Sequence, residues 1–345
     1  MHFRLCRRYV ARKNRRRSKY SFLAETVQPE TARRQGERAD GGVIPVPFIQ
    51  HYILDPLLGA LVAILQIIFW ILPFRVSSAI GGGLARLIGP NLAISRKAQK
   101  NLQYVWPDMP PERQQEIITR MWDNLGRNFA EYPGLGRLQF GNMIHVHGAE
   151  AVNSIIGKRP IVFAAAHIGN WETIPYFWAK QGWKVDIVYR RANNRYVDWV
   201  IQFIRSRTGL TFAAKGREAS KQIIQSLSKS SSVALLMDQR MSDGEEIDFL
   251  GKPAMTGTGW IKLVLRNNAA IVPVYCVRGR DHDPCKFDMI YDTPILPEQL
   301  NLPADSAEAV RFVAAVVNKK YGEWISAGRG ADQWLWLHRR WGRLV

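Results

Sequence analysis

A histidine and a glutamate five positions apart follow an apolar run in the middle of the chain. Residues 161–166, directly before His167, are small, aliphatic or aromatic and predict a buried strand, while residues 171–180 predict the following helix. A neutral imidazole at such a junction can take a proton from a hydroxyl group, and a carboxylate on its other ring nitrogen fixes the tautomer. We therefore interpret His167 as a candidate general base and Glu172 as the carboxylate that orients it.

This interpretation has a simpler alternative, since a His-x4-Glu pattern arises by chance in many chains and His167 could be a structural histidine. Two further polar side chains follow predicted strands, Arg190 after residues 185–189 and Asp238 after residues 232–237. The carboxyl ends of neighbouring parallel strands meet at one edge of a sheet, so these side chains could converge with His167. They could also be ordinary loop residues, and Asp238 could equally cap a turn.

The elements around these residues alternate between strand and helix. Residues 269–277 predict a further strand, and residues 195–205 and 219–227 predict helices. The first of these helices is amphipathic, and the residues that fall on its apolar face are Tyr196, Trp199, Val200, Phe203 and Ile204. Alternation of this kind predicts an α/β fold with a mixed, largely parallel sheet flanked by helices.

Residues 1–50 are predicted to form a separate basic tail. Nine Lys or Arg and no acidic residue occur in the first nineteen positions, and a polar stretch follows. We expect this tail to be largely disordered, either as a solvated chain or as a segment that binds anionic lipid. It does not resemble a secretory signal, because the apolar run of the chain begins only near residue 56.

Residues 56–74 are apolar, with Gln66 as the one strongly polar residue, and as a helix these nineteen residues can cross about 30 Å of hydrocarbon. We expect residues 51–90 to anchor the chain to a membrane, with a second helix at 79–88, ahead of a catalytic domain at 91–345. With that domain in the cytoplasm, a full crossing would put twelve basic residues of the first forty outside, against the positive-inside tendency. A helix that lies in the cytoplasmic leaflet removes this conflict, and a buried core helix is the third possibility.

The chain carries 48 basic and 29 acidic residues, a formal net charge of +19, which indicates an anionic partner. Nucleic acid, an anionic membrane surface and a phosphorylated or acidic substrate all fit this charge. Trp334, Trp336 and Trp341 lie among arginines near the end of the chain, a mixture that suits a membrane headgroup layer as well as packing against the core. The three cysteines form neither a disulfide framework nor a metal-binding spacing, which favours a reducing compartment.

Competing catalytic motifs are absent from the sequence. It contains no G-x-S-x-G elbow, so a serine acyl-enzyme has no local support, and no G-x4-G-K-[ST] loop for nucleotide phosphates. His145 and His147 have no second ligand cluster at zinc spacing. We therefore expect no metal site.

The segment around His167 resembles the H-x4-[DE] motif of glycerolipid acyltransferases, in the form carried by the lipid A secondary (lauroyl or myristoyl) acyltransferases. Further segments similar to this family occur in the expected order: Arg96, Asn101-Leu102 with Pro107, residues 124–127 with Glu131, and residues 188–190, 237–239, 249–254, 270–274 and 333–341. The resemblance covers about residues 50 to 341, and the ordered set is far more specific than any one member. The long basic tail has no counterpart in the family pattern.

The resemblance implies acyl transfer from acyl carrier protein to the hydroxyl of a 3-hydroxyacyl chain on a lipid A precursor, with no cofactor and no covalent enzyme intermediate. His167 would act as the base, and helix N–H groups or the Asn170 amide would bind the oxyanion. The other implied site residues are Arg190 and Arg191 for a phosphate or carboxylate, Asp238 and Gln239 in a site segment, and Lys215 and Arg240 for a phosphorylated sugar or the acidic carrier.

The resemblance also implies a bacterial inner-membrane location with the catalytic domain on the cytoplasmic side. We expect a monomer that contacts an anionic membrane surface and binds no nucleic acid. Two other functions stay open. A phospholipid acyltransferase of the lysophosphatidate type would share His167 and the acid but accept a glycerol phosphate. A basic nucleic-acid-binding or membrane-binding protein would bind its partner without either residue.

Overall fold

The computed structural model describes residues 49–342 of the 345-residue chain. The predicted basic tail at residues 1–50 therefore lies almost entirely outside the described residues. In the described part, seven strands form one mixed sheet and two form a hairpin. The strands are β1 (Ile144–His147), β2 (Ile161–Gly169), β3 (Val185–Tyr189), β4 (Thr211–Ala214), β5 (Ser232–Leu236), β6 (Glu245–Phe249), β7 (Lys252–Thr256), β8 (Ala270–Arg278) and β9 (Phe287–Tyr291).

The large sheet has the strand order β1-β9-β8-β2-β5-β3-β4. The central strand β2 pairs in parallel with β5 and β8, and β3 pairs in parallel with β4 and β5. Within this described sheet the antiparallel pair is β8 with β9. The sheet is thus mixed and largely parallel, which confirms the predicted fold class.

Helices cover the sheet and precede it. Within residues 49–342 the α-helices are α1 (Asp55–Ile71), α2 (Phe74–Ile88), α3 (Ser95–Val105), α4 (Pro111–Glu131), α5 (Ala149–Asn153), α6 (Thr173–Lys180), α7 (Arg195–Ser206), α8 (Arg217–Ser228), α9 (Gly259–Arg266), α10 (Ser306–Ser326) and α11 (Gly330–Gln333). The strand predicted at 185–189 is β3 without change. The helix predicted at 79–88 begins earlier, at Phe74, because Pro73 supplies the extended backbone at which a helix can start.

Strand β2 is buried along its whole length, which explains its unbroken apolar sequence. Alternate residues enter two hydrophobic clusters, 162, 164 and 166 in one and 161, 163 and 165 in the other. A parallel strand covered on both faces reads as a continuous apolar run rather than an alternating one. The candidate base therefore lies in the most protected strand of the sheet.

The first two helices pack against the α/β unit. Gln66, in the second half of α1, is buried and donates from Nε2 to the carbonyl oxygen of Phe129 at 3.0 Å. From Ile49 onward the chain forms one compact unit. The first two helices thus pack against the rest of the described chain, and the division into an anchoring region at 51–90 and a catalytic domain at 91–345 stays a prediction.

The C-terminal segment, residues 333–341, packs into the core. Trp334, Trp336 and Arg340 are fully buried. Nη1 of Arg340 donates to the carbonyl oxygen of Met255 at 2.7 Å, which fixes the segment to the β6–β7 hairpin. The alternative that Trp334 and Trp336 lie in a membrane headgroup layer is therefore wrong.

Candidate active site

His167 lies inside β2, two residues before its end. The strand pairs regularly with β8 through Ala165, and the register then shifts before Gly169 pairs with Cys276. Gly169 has a φ of +59°, and a Cβ there would lie 1.9 Å from the carbonyl oxygen of Cys276, so this turn requires glycine. His167 keeps 9% of its surface exposed, which leaves a narrow approach to the imidazole from the carboxyl edge of the sheet.

Asp238 holds His167 by both its ring and its backbone. Oδ1 of Asp238 lies 2.8 Å from Nδ1 of His167, and Oδ2 accepts the His167 backbone N–H at 2.9 Å. Oδ2 also accepts from the indole nitrogen of Trp334 at 2.8 Å. Asp238 follows β5, the parallel neighbour of β2, so the expected convergence of these two side chains is seen in the structure.

Asp238 stays ionised although it is fully buried. Burial alone would raise the pKa of its carboxyl, but the charge and hydrogen bonds of His167 and the charge of His338 outweigh burial and hold this pKa well below its usual range. An ionised carboxylate only accepts hydrogen bonds, so Nδ1 of His167 carries the proton between them. Nε2 is then the basic nitrogen, which is the tautomer that a general base requires.

Gln239 occupies the space beside that basic nitrogen. Its side-chain nitrogen lies 3.1 Å from Nε2 of His167 and 3.1 Å from Nε2 of His338. An amide NH2 group has two hydrogens, and two neutral imidazole nitrogens can accept them. A hydroxyl group can therefore reach Nε2 of His167 by taking the place of the Gln239 amide.

His338 belongs to this site, although the sequence analysis did not single it out. Its ring centroid lies 4.9 Å from that of His167. Burial, followed by the charges of His167 and Arg190, lowers the pKa of His338 to about 3 against the opposing effect of Asp238. His338 is therefore a neutral hydrogen-bonding group at pH 7. In the sequence, His338 lies in the family-like C-terminal segment at residues 333–341, but no spacing rule relates that position to His167.

Trp171 lies on another side of the His167 ring, with ring centroids 5.0 Å apart. Beside Trp171 is an apolar cavity of about 40 Å³, whose wall includes Ala165, Ile174, Trp178, Ile187, Ala234 and Leu236. Pockets that enclose drug-sized ligands are roughly 300–1,000 Å³, so this cavity is far too small for a long acyl chain. A long alkyl chain would fit here only after side chains of β2, β3, β5 or α6 move apart.

Glu172 does not contact His167. Its carboxylate forms an ion pair with Arg205 of α7 at 2.6 Å, and the Arg205 guanidinium lies over two aromatic rings. The assignment of Glu172 as the carboxylate that orients His167 is therefore corrected, because Asp238 occupies that position. Glu172 lies beyond the turn at Gly169, directly before α6, and from there its side chain meets α7.

The Asn170 side chain is also directed away from the imidazole. It is fully buried, and its Nδ2 donates to Oε2 of Glu131 at 2.7 Å. An amide bound in this way inside the core is not available to an oxyanion beside Nε2 of His167. The expectation that Asn170 binds the oxyanion is therefore wrong for this arrangement.

Asn170 is part of a buried ionic cluster at the end of the neighbouring strand β8. Arg278 contacts Glu131 through Nη1 and Oε1 at 2.5 Å and through Nη2 and Oε2 at 2.8 Å. Asn124 and Asn128 accept from the same guanidinium, and both donate to the carbonyl oxygen of Gly169. The family-like residues of α4 therefore hold the turn behind His167. We call this set the Glu131–Arg278 cluster: Ser78, Asn124, Asn128, Glu131, Asn170 and Arg278.

Four basic residues expected to bind substrate are exposed after strands β3, β4 and β5: Arg190, Arg191, Lys215 and Arg240. The charge of Arg190 contributes to the low pKa of His338, which places Arg190 near the site. Nζ of Lys215 lies 2.9 Å from Sδ of Met241. All four follow parallel strands at the edge that carries His167, and their roles remain predictions.

A family model described as bacterial lipid A biosynthesis acyltransferase matches residues 51–343. A Haemophilus influenzae protein named lipid A biosynthesis acyltransferase is 24% identical over 216 residues, which cover 59% of this chain and 66% of that relative. The match thus spans slightly less than two thirds of the relative's length. A solved structure of the 1-acyl-sn-glycerophosphate acyltransferase PlsC from Thermotoga maritima is similar with a TM-score of 0.34 and 16% identity, over 74% of this chain and 99% of that one.

Proposed function

Because this chain belongs to the bacterial lipid A biosynthesis acyltransferase family, we propose that it transfers a fatty acyl chain from acyl carrier protein to the hydroxyl of a 3-hydroxyacyl chain on a lipid A precursor. The observation that carries the proposal is the His167–Asp238 pair, with Nδ1 2.8 Å from a buried carboxylate and Nε2 beside a replaceable amide. An imidazole held in this way can deprotonate a hydroxyl group. Donor and acceptor are inferred from the family, and the base is inferred from the geometry.

In the proposed reaction, Nε2 of His167 takes the proton of the acceptor hydroxyl while the hydroxyl oxygen attacks the carbonyl carbon of the acyl thioester. The new C–O bond pushes an electron pair onto the carbonyl oxygen and gives a tetrahedral oxyanion. On its collapse the C–S bond breaks, and the leaving thiolate takes the proton back from the imidazolium. The products are an ester and a free thiol, so the step balances without metal, cofactor or covalent enzyme intermediate.

Asp238 stabilises the charged stage of this sequence. His167 becomes a cation when it accepts the proton, and the carboxylate on Nδ1 offsets that charge. The backbone N–H of His167 and the indole of Trp334 hold Oδ2, so the carboxylate cannot rotate away from the ring. This role is the one that the sequence analysis gave to Glu172.

Gln239 is the side chain that we assign to the oxyanion in place of Asn170. Its amide nitrogen lies 3.1 Å from Nε2 of His167, the atom that the acceptor hydroxyl must approach. Once the hydroxyl displaces it, the NH2 group has a free hydrogen close to the reacting carbonyl. Donors placed where negative charge develops are a common source of rate acceleration.

The exposed basic residues suit the anionic partners of this reaction. Arg190 and Arg191 follow β3, and a guanidinium can bind a phosphate or carboxylate through two parallel hydrogen bonds. Lys215 and Arg240 follow β4 and β5 at the same edge. We propose that this basic rim receives the phosphorylated disaccharide and the acidic carrier protein.

We also propose a location at the bacterial inner membrane with the site on the cytoplasmic side. Membrane association is supported by the apolar segment Gln50–Ile71, which is long and apolar enough to cross a bilayer. The cytoplasmic side follows from the donor, because acyl carrier protein is a soluble cytoplasmic substrate carrier.

The test is mass spectrometry of lipid A from cells with and without the protein, in a strain that lacks related acyltransferases. We expect the cells without the protein to lose the mass of one acyl chain, and we expect the wild-type gene to restore that mass and so identify the chain length. His167→Ala, checked for folding by circular dichroism, should not restore it. Unchanged lipid A after loss of the protein would contradict the proposal and favour a phospholipid acceptor.

A further inference from the structure

Helix α1 contacts the rest of the molecule from one end to the other. At its start, Nδ2 of Asn194 donates to the backbone oxygen of Asp55 at 2.9 Å. Further along, Gly59 lies against Tyr196 so closely that a Cβ on the glycine would be 2.2 Å from the Cβ of the tyrosine. Near its end, Phe69 is only 7% exposed. The helix therefore does not leave the α/β unit at either end.

The opposite face of α1 is apolar and uncovered. Its large side chains are between 45% and 70% exposed: Leu57, Leu58, Leu61, Ile64, Ile67, Ile68, Trp70 and Ile71. Helix α2 extends the same kind of surface with Val76, Ile80, Leu84, Leu87 and Ile88. Soluble monomers rarely expose a continuous apolar surface of this size, and such surfaces mark contact with a partner or a membrane.

Helix α7 adds two exposed aromatic rings. The sequence predicts a single apolar face on this helix, but only Val200 and Ile204 of that face are well buried. Trp199 is 67% exposed and Phe203 is 55% exposed, and their rings stack on each other with centroids 5.9 Å apart. The outward part of the face therefore has no partner within the described chain.

Arginines join the exposed surfaces of α7 and α1. The guanidinium of Arg207 lies 5.6 Å from the ring centroid of Phe203 and 5.7 Å from that of Trp70, so the two rings flank one cation. The guanidinium of Arg137 also lies over the Trp70 ring, 5.6 Å from its centroid. Exposed aromatic rings among arginines are typical of surfaces at the level of lipid headgroups, where the cation meets phosphate and the ring meets the upper acyl chain.

We propose that the exposed faces of α1, α2 and α7 form one lipid-facing surface that lies flat on an anionic membrane. The stacked rings of Trp199 and Phe203 insert at headgroup level. Two arginines at the edge of this surface bind lipid phosphates: Arg137 and Arg207. The inference concerns contact with lipid and does not depend on the reaction proposed above.

In this arrangement α1 lies in the plane of the membrane and does not cross it. A crossing would carry the elements packed along α1 into the hydrocarbon, including Asn194 at one end and Arg137 at the other, and exposed polar and charged groups are strongly disfavoured there. The in-plane position also removes the charge conflict found in the sequence, because the basic residues before α1 need not be moved across the membrane.

The test measures depth in the membrane with an environment-sensitive fluorophore on single cysteines of the full-length protein. The Cys6→Ser background leaves Cys276 and Cys285, both buried, as the remaining native cysteines. The labelled variants are Leu57→Cys, Ile64→Cys, Ile71→Cys, Trp199→Cys and, as a matched control on α10, Phe312→Cys. Each is bound to vesicles of phosphatidylcholine with or without phosphatidylglycerol that carry a nitroxide quencher at a shallow or a deep position of the acyl chain.

The in-plane surface predicts the same ratio of shallow to deep quenching at positions 57, 64 and 71. It also predicts shallow quenching at position 199, stronger when phosphatidylglycerol is present, and no quenching at position 312. Deep quenching at 64 with shallow quenching at 57 and 71, and none at 199, would show a crossing helix and overturn the proposal. Equal quenching at 199 in both lipid mixtures would overturn the assignment of the arginines to anionic headgroups. Because all five positions are exposed, their substitution leaves the core unchanged.

Discussion

The His167 site and the Glu131–Arg278 cluster are both buried ionic groups at the carboxyl edge of neighbouring strands, but they differ in how fully they are paired. In the cluster, all three side-chain nitrogens of Arg278 donate to oxygen atoms, and the carboxylate of Glu131 also accepts from Ser78 at 2.6 Å. In the site, Nδ1 of His167 is fixed while Nε2 meets only an amide that a substrate can displace.

This difference distinguishes residues that position the site from the residue that can transfer a proton. In the cluster both the cation and the carboxylate are paired, so neither is left to react, and the amides of Asn124 and Asn128 hold the carbonyl oxygen of Gly169, two residues beyond the base. The site has one basic nitrogen left for substrate on a ring that is otherwise held in place. Buried ionic groups therefore serve positioning at the end of β8 and proton transfer on β2.

Replacing the carboxylate in the site should give the largest effect on catalysis. In Asp238→Asn, an amide NH2 facing Nδ1 favours the tautomer that carries its proton on Nε2, which cannot accept a second one. We expect kcat to fall by about 1,000-fold or more with a small change in KM. Steady-state acyl transfer by the purified variant measures this effect, with exposed Asp108→Asn as the control. A loss below about tenfold would remove Asp238 from the mechanism.

Replacing the cation in the cluster should mainly affect stability. Arg278→Met leaves Glu131 charged and unpaired in the core, so we expect the free energy of unfolding to fall by about 3–5 kcal/mol. Chemical denaturation measures the change. Arg311→Met breaks an exposed ion pair with Glu245 and should change the free energy of unfolding far less than Arg278→Met does. Similar losses in both variants would mean that the cluster does not hold this part of the fold.

The ion pair of Glu172 and Arg205 is less buried than that of Glu131 and Arg278 and more buried than that of Glu245 and Arg311. Its loss should therefore have an intermediate effect on stability. Glu172→Gln leaves the guanidinium without its carboxylate, and we expect the free energy of unfolding to fall by about 1–3 kcal/mol, with a matching loss of activity. If Glu172 acts only through Arg205, the double variant Glu172→Gln with Arg205→Met should recover most of both losses. An unchanged activity loss in the double variant would indicate that Glu172 acts on His167 directly.

The sequence identified the elements and the main site residues because strong local patterns carry them. The buried run before His167 predicts β2, and the rule that parallel strands end at one edge brings Asp238 to the imidazole. The partner of Glu172 was not predictable in this way. The turn at Gly169 depends on a close approach to Cys276 of another strand, and no spacing along the chain records where the next side chains are directed.

Two other features depend on tertiary contacts between distant parts of the chain. His338 meets His167 because the C-terminal segment runs along β2, where the backbone N–H of Leu335 donates to the carbonyl oxygen of His167 at 3.1 Å. On α7 the helical period correctly gives an apolar face, but packing against α1 and the sheet leaves Trp199 outside. A hydrophobic period identifies a face that avoids water, and it does not distinguish protein from lipid as the covering material.

A separate effect is expected in how stability depends on pH at the edge of the site. His338 has a pKa of about 3 in the folded protein and an ordinary value of 6.5, so between these pH values the unfolded chain binds a proton that the folded protein does not. Its contribution to stability is therefore present above pH 6.5 and is lost as the pH falls toward 3. The depressed pKa of Asp238 acts in the same direction only near and below its ordinary value of 3.8.

As the pH falls from 6.5 to 4, the free energy of unfolding of the His338→Gln variant should therefore fall less steeply than that of wild type. The glutamine keeps a side chain that can hydrogen-bond to Gln239. Denaturation curves at several pH values, with exposed His145→Gln as the control, measure the slope. Identical slopes for wild type and His338→Gln would mean that His338 has the same pKa in the folded protein and in the unfolded chain, so that both states take up its proton together. His338 would then become a cation beside His167 as the pH falls below 6.5, and its role as a neutral acceptor for Gln239 would be restricted to higher pH.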